Sequence, residues 1–432
     1  MKSRTRTLEV DYLTRVEGEA SLTVRLEGDR ATDVRLAVFE PPRFFEALLR
    51  GRSYLEAPDI TSRICGICPV ADLMSACRAV EDALGAQVEP SLHALRRLLY
   101  CGEWIESHCL HAFLLHAPDF LGYPDALSMA KQHGEWVQRG LRMKKAGNAI
   151  VTLMGGRSIH PINVRVGGFY RAPGRAELES LLPELRWGRD ATAESLEWMS
   201  RFSFPELSRE YEFVSLRQSD GRYPMMGERV VSSGGLDIAV REWDAHFEEE
   251  QVPYSTALQS RRVGAGAYLC GPLARFNLNF ELLEPEVQAL ARKVGLSVPC
   301  LNPFRALLVR LVEVHQAFTD AIRLIEGYVP PTVAHVDTPA RAGTGYGATE
   351  APRGLLYHRY TLDADGGIAD ARIVPPTSQN QRSMEDDLRV LAPELASRKH
   401  EEATHLAEWA IRNHDPCISC SAHFLTLKLE RA

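Results

Sequence analysis

The chain has 432 residues, of which 45% are hydrophobic and 25% charged, with a net charge of −7. That composition suits a globular protein with a sizeable buried core. It argues against a nucleic-acid partner, because no dense basic stripe is present. No apolar run reaches the roughly 20 residues that span a bilayer. The basic start, Met1 to Arg6, is followed by no apolar segment, so no signal peptide is read and a cytoplasmic location is expected.

In chain order, residues 7–40 alternate apolar and polar (Leu8, Val10, Leu22, Val24, Val34, Leu36, Val38), which predicts a small antiparallel sheet ended by Pro41-Pro42. A short helix from Phe44 to Leu49 carries Glu46. Helices are expected from about Ala71 to Leu84, over 90–118, over 125–149, and from Pro173-Gly174 to about Ser200. Residues 203–280 read as short strands and loops. Helices resume at about 284–297 and 303–327, and Pro330-Pro331 breaks the pattern. Leu355 to Leu362 and Ile368 to Val374 form a hairpin around Asp365-Gly366-Gly367. Helices at 384–397 and 401–412 follow, and Phe424 to Leu429 alternates like a strand. The expected fold is mainly α with small β additions (α+β), a helical body with an N-terminal antiparallel sheet.

Without repeats or long linkers, the chain reads as one unit, 1–432. Its parts are the sheet (1–43), a helical core (44–202), a mixed insertion (203–283), a section of helices and hairpin (284–423) and a tail (424–432).

Nine cysteines are too few and too uneven for a disulfide scaffold. Four form two Cys-x-x-Cys pairs, Cys65/Cys68 and Cys417/Cys420, at opposite ends of the chain. Each such turn aims two thiols at one point, and two turns brought together make a tetrathiolate site for a soft metal. Structural zinc is the plain alternative, but zinc knuckles are commonly separated by only about 15–20 residues. Thioredoxin-like redox chemistry is another, but neither pair lies in a clear βαβ setting. On the cysteines alone the metal stays open. Cys77, Cys101, Cys109, Cys270 and Cys300 read as small buried apolar residues.

The flanking residues narrow the choice. Arg63-Ile64-Cys65-Gly66-Ile67-Cys68-Pro69 and Asp415-Pro416-Cys417-Ile418-Ser419-Cys420-Ser421-Ala422-His423 resemble the two signatures of [NiFe]-hydrogenase large subunits in content, order and position. Thr14-Arg15-Val16-Glu17-Gly18, Gly155 to Pro161, Val166-Gly167-Gly168 and Ala351-Pro352-Arg353-Gly354 resemble further family motifs, so the likeness covers essentially the whole chain. It implies a nickel–iron centre that splits H2 or forms it. Cys65 and Cys417 would be terminal nickel ligands. Cys68 and Cys420 would bridge nickel to iron, and the iron would carry carbon monoxide and cyanide. Glu17 would take the proton from Cys417, though by itself it also reads as a solvated strand-end charge. Arg353 would lie over the open coordination face, paired with Asp415. Glu46, His423 and the backbone carbonyl of Arg372 would hold Mg2+. His108 would be a donor near the open site, at one remove from the metals, and His160 would sit on the side facing the electron-transfer partner.

Two positions depart from the family pattern. Asp72 stands where many relatives have a histidine that donates to a bridging thiolate; an ionised Asp cannot donate, so it is either protonated or turned toward a cation. His414 stands where tyrosine is common. By resemblance, residues 424–432 would be a tail removed by a maturation protease. The family also implies an obligate iron–sulfur small subunit, since the chain lacks a third cluster motif to carry electrons onward. The motif style is that of the cytosolic NAD(P)- or F420-linked branch, whose further subunits carry the flavin diaphorase. An H2-sensing regulatory subunit, a non-catalytic homologue and a zinc-structured scaffold are the competing readings.

Overall fold

A computed structural model describes residues 5–422. His423 and the expected tail and its strand lie outside the described residues. The alternating start forms β1 (Thr5–Val10), β2 (Ala20–Glu27) and β3 (Arg30–Val38), an antiparallel sheet in the order β1-β2-β3. Ala20, Leu22, Val24 and Leu26 all point to one side, as the two-residue period of a strand requires.

The short helix α1 (Phe45–Leu49) and α2 (Ala57–Thr61) lead to α3 (Pro69–Leu84), which starts directly after Cys68 with a proline at its first position and stops at Gly85 in the left-handed region. Almost every α3 residue is buried, so this helix runs through the middle of the body. The helix expected over 90–118 divides into α4 (Pro90–Cys109), a π-helical stretch at Leu110–His116 and α5 (Ala117–Leu121). Helix α6 (Ala126–Gly155) packs along α4 through facing glycines. A Cβ on Gly147 would stand 2.6 Å from the Gly102 carbonyl oxygen, so only hydrogen fits there.

After the small ladder β4 (Val164–Arg165) and β5 (Gly168–Phe169), the helix expected over 173–200 is two: α7 (Arg175–Glu179) and α8 (Leu182–Met199). Pro183, in the first turn of α8, has no N–H to continue the bonding of α7. The mixed region holds the sheet β6 (Val214–Arg217), β7 (Arg229–Ser232) and β8 (Asp237–Ala239), the turn α9 (Trp243–His246), and the pair β9 (Phe247–Gln251) and β10 (Leu258–Arg262). Helices α10 (Pro272–Asn279), α11 (Pro285–Lys293) and α12 (Ala306–Glu326) follow.

The expected hairpin has a third strand before it. β11 (Gly343–Ala351), β12 (Gly354–Leu362) and β13 (Ile368–Val374) pair in that order, and β11 lies on α3. Helix α13 begins at Pro376 rather than near 384 and runs to Ser397. It is followed by α14 (His400–Arg412) and the single turn α15 (Ile418–Ser421).

The apolar residues fall into three buried clusters. The largest surrounds α3, α4 and α12 and includes all four paired cysteines. A second joins the N-terminal sheet to α13 and α14. The third lies between β6 to β8 and the β11–β13 sheet. No helix among the described residues is long and apolar enough to cross a membrane.

Candidate metal centre

The two ends of the chain meet through main-chain bonds before any side chain is considered. Glu17 and Cys417 form a parallel bridge, and the Ile418 N–H donates to the Glu17 carbonyl at 2.9 Å. That contact brings the loop before α15 against the loop between β1 and β2, and the sulfurs join it to the loop before α3. Cys65 and Cys417 sulfurs stand 3.3 Å apart, Cys68 and Cys420 3.4 Å, and Cys417 and Cys420 2.8 Å. All four ligand atoms lie within 4.8 Å of one another and are buried. The other five cysteines are buried singly.

Hydrogen bonds from Cys417, Cys420 and Cys68 draw the Cys65 thiol well below its usual pKa, while burial holds Cys417 well above. Four thiols without a cation thus share little negative charge. Ionising all four needs a cation among them, because unpaired buried charge is costly. A metal–sulfur bond of about 2.3 Å gives tetrahedral edges of roughly 3.8 Å, within the spread of these sulfurs. The donor set fits soft, thiolate-loving metals.

Glu17 reaches in from the N-terminal arm. Its Oε2 accepts from the Cys417 thiol at 3.2 Å and from the Ser419 N–H at 3.0 Å. Burial, helped by charge on Cys65, raises its pKa. Arg353 is fully buried near Cys417, Cys68 and Cys65: its Nη1 donates to Ser107 Oγ (3.1 Å), its Nε to the Asp415 carbonyl (3.1 Å), and its Nη2 pairs with the Asp415 carboxylate (3.3 Å). The guanidinium therefore sits as a charged pair with fixed donors.

The other expected residues take varied positions around this core. Asp72 is buried beside the cluster, with Oδ2 making no hydrogen bond among the described residues and Oδ1 3.9 Å from His358 Nε2. Burial and the charge of Cys65 push its pKa well up. That shift favours the neutral acid, and no lysine or arginine ion-pairs with Asp72 among the described residues. His108 bonds Glu313 at 2.9 Å instead of facing the sulfurs, and burial lowers its pKa to about 4. His160 holds the Ser62 carbonyl through Nδ1 at 2.6 Å, tying its loop to the approach to Cys65.

Glu46 accepts from the Ile373 N–H at 2.7 Å, and burial lifts it to about 7. In a planar trans peptide the Arg372 carbonyl then points away from Glu46. Along an extended strand a residue's own N–H and C=O share a side, which puts the Ile373 carbonyl toward Glu46 instead. The Arg372 side chain turns to Asp244 at 2.6 Å and Glu249 at 3.5 Å.

Several residues at the site escape a sequence reading. Thr377 accepts the Cys417 N–H at 2.9 Å. Its signal was the run Pro375-Pro376-Thr377-Ser378-Gln379-Asn380, polar in a helix yet buried. Arg275 donates to the Ala351 and Pro352 carbonyls at 2.9 and 3.1 Å, and to Glu313 and Glu350, all with fully buried side chains. Glu249 is raised to about 8 by burial, although Arg372 pulls it down. Nothing in the sequence separates it from Glu248 and Glu250.

Against known proteins, residues 43–139 match the family model described as nickel-dependent hydrogenase. The chain is 35% identical over 425 residues to the sulfhydrogenase 2 subunit alpha of Pyrococcus furiosus, covering 97% of this chain and 100% of the relative. It is 30% identical over 430 residues to the sulfhydrogenase 1 subunit alpha of the same organism, covering 99% and 100%. Among solved structures, an NAD+-reducing [NiFe]-hydrogenase in the H2-reduced state superimposes with a TM-score of 0.86 at 27% identity, covering 98% of this chain and 100% of that one.

Proposed function

Because the chain belongs to the nickel-dependent hydrogenase family and is a catalytic large subunit, we propose a division of labour among the residues of its centre. Cys65 and Cys417 would hold nickel, and Cys68 and Cys420 would be shared between nickel and iron. The bound metals supply the Lewis acidity that polarises H2 and the capacity to accept its electrons. Cys417 is the base nearest the reacting face, and Glu17 Oε2, already 3.2 Å from its sulfur, takes the proton onward. A raised pKa suits Glu17 to receive it. Arg353, fixed by Asp415 and Ser107, would present positive charge to H2 and a donor to a cyanide on an iron that would also carry carbon monoxide. His108 acts at one remove, through Glu313 and Arg275 on the main chain of Ala351 and Pro352.

Glu46 with the Ile373 carbonyl, and His423 beyond the described residues, offers a seat for a hard cation such as Mg2+. Electrons leave through an iron–sulfur small subunit. An NAD(P)- or F420-linked diaphorase then accepts them in the cytoplasm, and a maturation protease removes residues 424–432. The NAD+-reducing enzyme of similar structure supports the first carrier.

The observation that carries this reading is the convergence of four thiols from the two ends of the chain. The test is the purified complex: nickel and iron by elemental analysis, infrared bands of metal-bound carbon monoxide and cyanide, and H2-dependent reduction of a viologen dye. Zinc without nickel, or nickel without H2 turnover, overturns it.

A further inference from the structure

Helix α13 grips the arm that carries Cys417 at two points. Near its start, Thr377 accepts the Cys417 N–H. Further along, Asp387 Oδ2 bonds His414 Nε2 at 2.8 Å. A carboxylate with three bonds to it can only accept, so Nε2 carries the proton whichever form the ring takes. Asp387 is itself fixed: its Oδ1 accepts from Arg209 Nε at 2.6 Å and from the Tyr211 hydroxyl at 2.7 Å. Arg209 also lies over the Tyr211 ring, 3.9 Å from its centroid, and donates to the Ser383 carbonyl at 3.0 Å. His414 and Asp387 are both buried.

The bond matters because of the residue next to His414. Asp415 has φ +51°, in the left-handed region that residues with a Cβ seldom occupy, and a proline comes after it. Such a conformation persists only where its surroundings hold it. This one turns the Asp415 carbonyl and carboxylate onto Arg353 and then directs Cys417 to Glu17. We propose that His414, anchored on Asp387, is a positioning residue for H2 turnover. It fixes the entry to the strained Asp415 turn, and with it the distance from the Cys417 sulfur to Glu17 and the seat of Asp415 under Arg353. Its role in turnover rests on the hydrogenase reading above; its hold on the arm does not.

The test uses the assembled, metal-loaded complex with His414→Phe, which keeps bulk and loses the bond, and His414→Gln, which can still donate to Asp387. Amide hydrogen exchange over residues 413–420 reads the arm, and kcat and KM for H2 read the reaction. His414→Phe is expected to speed exchange there about tenfold and to lower kcat by about tenfold, with KM little changed, as for misplacement of a reacting group. His414→Gln restores both. Tyr211→Phe, removing one of three bonds on Asp387, gives the same pattern at smaller amplitude and serves if the His414→Phe complex does not accumulate. Wild-type exchange in either Phe variant, or equal impairment by Phe and Gln at position 414, overturns the proposal. If the wild-type complex itself fails to turn over H2, the hydrogenase reading falls, and the exchange rates alone decide whether His414 holds the arm.

Discussion

Changing Glu313 to Gln and, separately, Glu350 to Gln sets two buried carboxylates around one arginine against each other. Glu313 accepts from Arg275 Nε and Nη2, both at 2.7 Å, from the Tyr223 hydroxyl at 2.8 Å, and bonds His108 at 2.9 Å. Glu350 accepts from Arg275 Nη1 at 2.9 Å and the Leu216 N–H at 2.7 Å. Burial raises both, but Arg275 and the hydrogen bonds overcome it at Glu313, which falls from 4.5 to about 2. At Glu350 burial prevails, and it rises from 4.5 to about 7. Each pKa unit is about 1.4 kcal/mol, so the Glu313 shift is worth about 3 kcal/mol. That stability is present above pH 4.5 and lost as the pH falls through 2. The Glu350 shift has the opposite sign: its stability is fully present below pH 4.5 and lost as the pH rises through 7. At pH 8, then, Glu313→Gln removes a favourable ion, and Glu350→Gln removes one whose burial is a liability. Unfolding entropy of about 2.1 cal/mol/K per residue over 432 residues gives about 0.9 kcal/mol per degree. Glu313→Gln should therefore lower Tm by about 3–4 °C at pH 8, while Glu350→Gln leaves it unchanged or higher. Thermal scans of the purified complex by tryptophan fluorescence, at pH 5 and pH 8, read both. Equal losses, or a larger loss for Glu350→Gln at pH 8, would refute this assignment of the two charges.

Glu17→Gln, which keeps the Ser419 contact but cannot accept a proton, should retain nickel and lose on the order of 10²- to 10⁴-fold in H2 oxidation rate, the usual worth of a positioned proton acceptor; turnover at the wild-type rate would remove Glu17 from the path. Asp72→Asn should change turnover by no more than about twofold, since a neutral acid and an amide differ little in charge; a large loss would mean that Asp72 acts as an anion. Gly147→Ala should destabilise by roughly 1–3 kcal/mol through overpacking against α4, read as a lower midpoint in denaturant; an unchanged midpoint would show that the two helices can part freely.

How much the sequence disclosed depends on where the information is stored. The β1–β3 alternation and the apolar period of α3, α4 and α12 are local; the sheet buries the side its alternation implies, whereas the three helices are buried nearly all round, which a one-face pattern does not disclose. The start of α13 was hidden because Thr377, Ser378, Gln379 and Asn380 are polar yet buried, spending their side chains on Cys417, Pro375, Leu355 and Cys270. Strand β11 was hidden by its glycines, which let it lie on α3 and leave no side-chain pattern to read. At the metal centre, the cysteines and Arg353 were legible from their motifs. Arg275, Glu313 and Glu350 lie far apart in the chain and share no spacing, so their meeting is a fact of tertiary structure alone.

The pairing of Cys65 with Cys417 across the length of the chain also implies an order of events in the making of the protein. Cys65 leaves the ribosome 352 positions ahead of its partner Cys417. At about 5–20 residues per second that is an interval of roughly 20–70 s during which half of the ligand set exists alone. For that time the early pair is a two-sulfur site, open to any thiophilic ion in the cell. A selective cell must either shield those two sulfurs on the nascent chain or keep free nickel, zinc and copper scarce until the late pair emerges.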